Sequence, residues 1–140
     1  MNDRIAYTEP FQNHVGGRLL ARFRPDAAGE PQFVMDDGLR HYLIDLLLDS
    51  PRAKEIKRVE YLMNDPTFGD DATAVSKDSD NMFPGEISSY GDVEVIVTIF
   101  MKGADAKYEQ RAWLSNLLKN GHPGTGNAAI RDAIHRIEAR

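Results

Sequence analysis

The chain has 140 residues and a formal net charge of −5, and 28% of its residues are charged, so its composition is that of a folded domain rather than a disordered segment. No apolar run approaches the ~20 residues that a membrane span needs, and the lack of cysteine excludes disulfides, thiolate metal sites and cysteine nucleophiles. The N-terminal residues lack the pattern of a secretory signal. We therefore expect a single-domain cytoplasmic protein that does not associate with membranes.

The first half of the chain predicts short strands separated by turns. Residues 1–15 show no period and predict a loose lead-in with at most one short strand. From 17 to 24, apolar and polar residues alternate as in a half-buried strand. The turn-forming residues 25–31 separate it from a short strand over 32–35. The run 39–48 fits a helix and a strand equally well, and periodicity alone leaves both open.

The second half begins with another alternating run over 56–63, which predicts a strand. Residues 64–81 show no period and predict a long polar loop, whereas 92–101 is the strongest strand because nearly all its residues are β-branched or aromatic. The turn at 102–105 predicts a hairpin to a partner strand over 107–114. From the period-2 spacing we expect six side chains to face inward: Val59, Tyr61, Val93, Val95, Val97 and Ile99.

The chain closes with a predicted helix over 126–138, which Asn127 can cap. Its apolar stripe comprises Ile130, Ala133, Ile134 and Ile137. We expect this stripe to be buried, either on the flank of its own domain or in a homodimer, with the homodimer slightly favoured.

The strand count predicts an all-β fold, an Ig-like antiparallel β-sandwich of about seven to eight short strands with a C-terminal α-helix. The sandwich would span residues 1–120, followed by a Gly/Pro linker and helix over 121–140. Charge is uneven along it: residues 64–94 hold eight acidic side chains against Lys77 alone. Such a field repels phosphate backbones, so we expect no nucleic-acid partner there; a solvated loop is the alternative reading.

Three motifs, in this order, resemble the YEATS domain, and most closely its prokaryotic members. The first is Val-Glu-Tyr-Leu at 59–62 leading into Asp-Pro-Thr-Phe at 65–68, the second is Ser-Tyr-Gly-Asp at 89–92, and the third is the long strand at 93–100. The resemblance spans roughly residues 40–117. It implies an Ig-like β-sandwich in which the ambiguous run before the first motif is a strand.

The resemblance also implies a ligand site at one end of the sandwich. In eukaryotic members an acylated lysine enters a slot between two aromatic side chains, and the matching residues here are Phe68 and Tyr90. By the same comparison Thr67 would hydrogen-bond the acyl amide, and Gly91 would let the backbone approach the ligand. Asp65 stands where the family has a histidine. A flat amide on an aliphatic stem suits such a slot.

Arrangements typical of enzymes are missing from the sequence: its four histidines are scattered, and neither a phosphate loop nor a calcium loop has the required spacing. We therefore expect a non-enzymatic recognition module without cofactor or metal, which binds an acylated or basic peptide, or a small molecule. An effector protein in bacterial signalling or conflict systems would be its further partner.

Two alternatives stay open at this stage. In the first, the chain is a protein–protein adaptor or oligomerisation domain, and Phe68 and Tyr90 only plug the end of the sandwich. In the second, it is a nucleotide second-messenger sensor whose aromatic side chains stack on a base. The acidic segment argues against the second alternative, because its carboxylates would face the phosphates.

Overall fold

The computed structural model describes residues 17–103 and 106–140, so the lead-in predicted for 1–15 lies outside the described residues. Those residues form mainly antiparallel strands, followed by a C-terminal helix. The strands and helices in chain order are β1 (Arg18–Phe23), β2 (Phe33–Asp36), β3 (Leu39–Asp49), β4 (Ile56–Met63), β5 (Thr73–Ser76), β6 (Gly85–Ser89), β7 (Glu94–Met101), β8 (Lys107–Trp113), α1 (Leu114–Gly121) and α2 (Ala128–Glu138).

One sheet is organised around β3, which pairs with β1 and β2 along one edge and with β6 along the other. Leu46, for example, lies opposite Ala21 of β1 and opposite Gly85 of β6. This pairing on both edges explains why the ambiguous run at 39–48 is a strand, as the family resemblance implied. A long strand with partners on both sides satisfies its backbone groups without a helix.

The other sheet has the order β5-β4-β7-β8. In its centre Tyr61 lies opposite Val97, and Val97 in turn lies opposite Gln110 of β8. The predicted polar loop over 64–81 is wrong in part, because it contains β5 and two short 3-10 segments. β5 was missed because its four residues, Thr-Ala-Val-Ser, are too few to show a period and are held by pairing with β4.

The two sheets and both helices contribute to a shared hydrophobic core. All the side chains predicted to face inward are buried, which confirms the inside–outside assignment: Val59, Tyr61, Val93, Val95, Val97 and Ile99. Burial of this set on alternate positions fixes the register of β4 and β7, since a slip by one residue would expose it.

α1 was not predicted, and it lies along the open edge of β1. The Asn120 side chain donates to the Leu19 carbonyl at 3.2 Å, and the Phe23 backbone N–H donates to His122 Nε2 at 3.1 Å. Burial lowers the pKa of His122, with a smaller contribution from the nearby charge of Arg22, so its ring stays a neutral acceptor. The helix therefore shields an edge that would otherwise be free to pair with another chain.

The terminal helix is confirmed, together with its cap: the Asn127 side chain accepts from the backbone N–H groups of Ala129 and Ile130 at 2.9 and 3.2 Å. Its apolar stripe packs on the core of its own chain, with Ile134 and Ile137 buried and Ile130 partly buried. The stripe thus has a partner within the same chain, and the homodimer through this helix stays a prediction.

Candidate functional site

A cavity of about 500 Å³ opens where edge strands of the two sheets approach each other. Thr67 and Phe68 enter it from the 3-10 segment Pro66–Ala72, which precedes β5. Tyr90 enters it from the opposite sheet, directly after β6. The fold therefore brings together three of the side chains that the family resemblance selected, although they lie on separate loops.

Phe68 owes its position to a capped turn. The segment starts with Pro66 after the capping residue Asp65, and the Phe68 backbone N–H donates to the Asp65 carbonyl at 3.1 Å. The Phe68 ring is half-buried and packs against the edge of the core. One face is thus anchored while the other remains available to the cavity.

Asp65 itself does not line the cavity but holds Thr67 in place. Its carboxylate accepts from the Thr67 backbone N–H at 2.9 Å and from the Thr67 hydroxyl at 2.8 Å. These two hydrogen bonds lower the pKa of Asp65. Because the Thr67 proton is donated to Asp65, the Thr67 oxygen is left to accept a hydrogen bond, which suits an N–H donor on a ligand.

Tyr90 is not sealed into the core: 37% of it is exposed. Its ring lies beside the His41 ring from β3, with centroids 5.2 Å apart and planes inclined by 57°. His41 also lines the cavity, so this wall is a pair of rings rather than one. The sequence analysis missed His41 because it approaches Tyr90 only through the pairing of β3 with β6.

Gly91 lies away from the cavity and is buried. A Cβ at this position would lie 2.7 Å from the Cβ of Arg140, which follows α2. The glycine therefore allows the end of the C-terminal helix to approach the loop, and the ligand approach that the resemblance implied for Gly91 stays a prediction. Its backbone is held by Ser89, whose hydroxyl donates to the Gly91 carbonyl at 2.7 Å.

The wall that β6 forms is fixed by a buried tyrosine. The Tyr61 hydroxyl donates to the Phe83 carbonyl at 2.7 Å, just before β6, and burial raises the Tyr61 pKa so that it remains protonated. A Cβ on Gly85 would lie 2.6 Å from the Tyr61 ring. A glycine is required here because the backbone of β6 packs directly on this ring.

The charges around the cavity are uneven. Arg24 bridges Asp45 at 3.1 Å and Glu86 at 2.8 Å, so the Glu86 carboxylate in the cavity wall is already paired. Asp70 and Asp71 also line the cavity, and neither forms an ion pair with any residue of the described ranges. The open face is therefore acidic and attracts cationic groups.

β6 also presents a free backbone edge toward this space. It pairs with β3, and no ladder joins it to β5 in the part of the chain that the structure describes, although the two strands approach each other. Unpaired backbone groups on such an edge can bind an extended peptide by strand addition. Aromatic walls, an accepting hydroxyl, two carboxylates and a strand edge together suit a peptide with a neutral, partly apolar side chain.

Comparison with known protein families and with characterised proteins finds no match to this chain, so the YEATS resemblance rests on its motifs alone. None of the helices within 17–103 and 106–140 is long and apolar enough to cross a membrane. Over the same ranges, no three His, Asp or Glu side chains are grouped so that they could hold a metal ion.

Proposed function

We propose that this protein is a non-enzymatic recognition module that binds a basic peptide carrying an acylated lysine. The observation that supports this most directly is the meeting of Thr67, Phe68 and Tyr90 at the same cavity from two different loops. The proposal includes the finer architecture, an Ig-like β-sandwich of the prokaryotic YEATS type. It also includes a cytoplasmic setting in bacterial signalling or conflict systems, with an effector protein as partner.

In this proposal the aliphatic stem of the modified lysine lies against Phe68 and Tyr90, and its acyl amide N–H donates to the Thr67 oxygen. That hydrogen bond uses the Thr67 lone pairs that the bond to Asp65 leaves free. A cavity of about 500 Å³ is sufficient for one long side chain and part of its backbone.

The charge of the cavity gives the proposal its preference for a basic peptide. Asp70 and Asp71 would face the flanking lysines or arginines of the peptide, which speeds association and makes it dependent on salt. The acylated lysine itself is neutral, so no cation is placed between the rings. An unmodified lysine would have to shed its hydration to enter the aromatic slot, which disfavours it.

The test is isothermal titration calorimetry of one lysine-rich peptide in acetylated, crotonylated and unmodified forms. We expect measurable binding of an acylated form, at least about tenfold weaker binding of the unmodified form, and loss of binding in Tyr90→Ala. Trp113→Ala is the matched control, because Trp113 is another exposed aromatic residue, 51% exposed, that does not line the cavity. Equal binding of all three peptide forms would refute the proposal.

A second candidate, the protein–protein adaptor, has one observation in its favour. Strand β2 lies at a sheet edge and exposes apolar side chains, with Val34 and Met35 56% and 57% exposed. Such an edge is suited to strand pairing with another protein or with a second copy of the chain. Light scattering of wild type and Met35→Glu tests the second copy: the candidate requires an oligomer that the substitution dissociates.

A further inference from the structure

A second cavity, of about 240 Å³, lies on the other side of Tyr90, which lines both cavities. Three arginine side chains line it: Arg40 from β3, Arg136 from α2, and Arg140, which follows α2. None of the described residues that line it has an acidic side chain. The lining is therefore cationic, in contrast to its neighbour, although nearby Asp132 offsets part of the charge of Arg136.

Two of these arginines are held by their surroundings. The Arg40 guanidinium lies 4.5 Å from the centroid of the Phe33 ring, and Arg136 Nε donates to Asp132 at 2.8 Å, one turn earlier on α2. Asp132 does not line the cavity. A guanidinium carries five N–H donors, so the bond from Nε leaves Arg136 with further donors for a ligand.

The floor of the cavity contains an unsatisfied polar group. Tyr42 is only 2% exposed, and its buried hydroxyl has no hydrogen-bond partner in the part of the chain that the structure describes. Arg136 lines the same cavity as Tyr42, and its pKa is raised chiefly by its hydrogen bond to Asp132, then by the Asp132 charge, with a smaller contribution from Tyr42. Unpaired buried hydroxyls are uncommon in folded proteins and call for a partner.

We infer that this cavity binds the phosphoryl group of a small molecule, with Arg40, Arg136 and Arg140 pairing with its oxygens and the Tyr42 hydroxyl donating to one of them. A phosphate monoester carries a charge of about −1.5 to −2 at neutral pH and offers three acceptor oxygens, which matches several guanidinium groups better than a carboxylate does. Forked guanidinium donors bind such oxygens in pairs.

The remainder of the ligand would lie against Tyr90, whose ring borders the cavity beside Met35. A planar apolar group attached to the phosphate can stack there. The acidic character of segment 64–94 does not oppose this anion, because no acidic residue of that segment lines the second cavity. The inference is independent of the peptide site, since the two cavities share only Tyr90 among their lining residues.

The test uses phenyl phosphate, inorganic phosphate and benzoate, titrated in phosphate-free buffer at low ionic strength and followed by NMR chemical shifts. We expect phenyl phosphate to bind more tightly than either of the other probes. Tyr42→Phe, Arg40→Gln and Arg136→Gln should each weaken it at least about tenfold, the usual scale for a hydrogen bond to a charged group. Arg131→Gln is the matched control, because it removes the same charge from α2 outside this cavity.

Tyr42→Phe also provides a second readout, thermal stability without ligand. Because the hydroxyl has no partner to lose among residues 17–103 and 106–140, this variant should melt at the same temperature as wild type or higher, yet gain less stabilisation from phenyl phosphate. The inference is overturned by absence of binding, by benzoate binding as tightly as phenyl phosphate, by an equal loss in Arg131→Gln, or by Tyr42→Phe binding like wild type. Retention of acyl-peptide binding in Arg40→Gln separates this result from the peptide proposal.

Discussion

The two cavities that meet at Tyr90 differ in charge although they share a wall. The larger one carries the carboxylates Asp70 and Asp71, which are consecutive in the sequence and form no ion pair within the described residues, whereas the smaller one is lined by Arg40, Arg136 and Arg140. The acidic face is therefore visible as a local run of charge. The basic face exists because the fold brings Arg136 and Arg140 to the same cavity as Arg40 of β3, so counting charges along the chain could not reveal it.

The comparison also shows two ways of preparing a polar group for a ligand. In the acidic cavity the Thr67 hydroxyl is already oriented by Asp65 and is left as an acceptor. In the basic cavity the Tyr42 hydroxyl has no partner within the described ranges and is free to donate. The acidic cavity thus suits an amide N–H donor and the basic cavity suits an anionic oxygen. In each cavity the hydrogen-bonding preference agrees with the charge of the lining residues.

The largest expected effect comes from removing the core that supports both cavities. Val97→Asp places a carboxylate at a fully buried position of the hydrophobic core and should lower the free energy of unfolding by more than ~4 kcal/mol, close to complete loss of folding. Circular dichroism melting curves measure it. Leu62→Asp, at a 40% exposed position on β4, is the matched control and should remain folded. A wild-type melting temperature for Val97→Asp would contradict the burial of this face.

A smaller change should affect one cavity and spare the other. Gly91→Ala introduces a Cβ 2.7 Å from Arg140 and should displace that residue, costing ~1–3 kcal/mol of stability and weakening phenyl phosphate binding. Binding of the acylated peptide should be unchanged. Gly126→Ala is the control, because its added Cβ meets no atom within 4 Å. Loss of peptide binding in Gly91→Ala would mean that the two cavities are not separable.

The acidic cavity can be neutralised without altering its shape. Replacing both Asp70 and Asp71 with Asn should weaken binding of the acylated basic peptide several-fold, because exposed ion pairs contribute ~0.2–1 kcal/mol each. The salt dependence of that binding should also decrease. Calorimetry at low and high salt measures both effects. Unchanged affinity and unchanged salt dependence would show that Asp70 and Asp71 do not attract the peptide. The aromatic slot would still be tested separately by Tyr90→Ala.

The smallest effect concerns the pH dependence of the turn that carries Phe68. The pKa of Asp65 is lower in the folded protein than its ordinary value of 3.8. Ionised Asp65 therefore stabilises the fold fully at pH values above 3.8, and this stabilisation is lost as pH falls through the lower pKa of the folded state. Asp65→Asn removes the titration. The stability difference between wild type and Asp65→Asn should therefore shrink as pH falls from about 5 to below 3, measured by urea unfolding. A stability difference between wild type and Asp65→Asn that grows toward acid pH would contradict the stabilising role of the ionised Asp65 carboxylate.

Regular alternation along the chain was enough to predict β4 and β7 and their buried faces. It could not predict β6, whose residues Gly-Glu-Ile-Ser-Ser have low strand propensity and are held by pairing with β3 and by the Tyr61 ring. α1 was missed for a similar reason: the carboxylate that accepts from the Ser115 backbone N–H and hydroxyl, at 2.9 and 2.7 Å, belongs to Asp92 in the loop between β6 and β7.

The candidate site, like the fold, could be predicted only in part from the sequence. The motifs placed Thr67, Phe68 and Tyr90 on loops that the fold brings to the same cavity. They did not show that Gly91 accommodates Arg140 or that Asp65 accepts from Thr67, and the ligand roles of Gly91 and Asp65 stay predictions. The approach of Gly91 to Arg140 joins residues distant in sequence, about which a motif contains no information. The bonds between Asp65 and Thr67 are local, but they depend on the conformation of the turn, which the motif letters do not specify.

The most direct test of the central claim is chemical-shift mapping of the ¹⁵N-labelled protein with the acylated basic peptide. We expect peptide-induced shifts concentrated on residues 67–73 and on β6, at the walls of the acidic cavity, and none on α2 beyond those transmitted through Tyr90. Titration with phenyl phosphate should instead shift the resonances of residues at the walls of the basic cavity, on β3 near Arg40 and on α2. Peptide-induced shifts confined to β2 and α2, or no shifts at residues 67–73, would contradict the central claim.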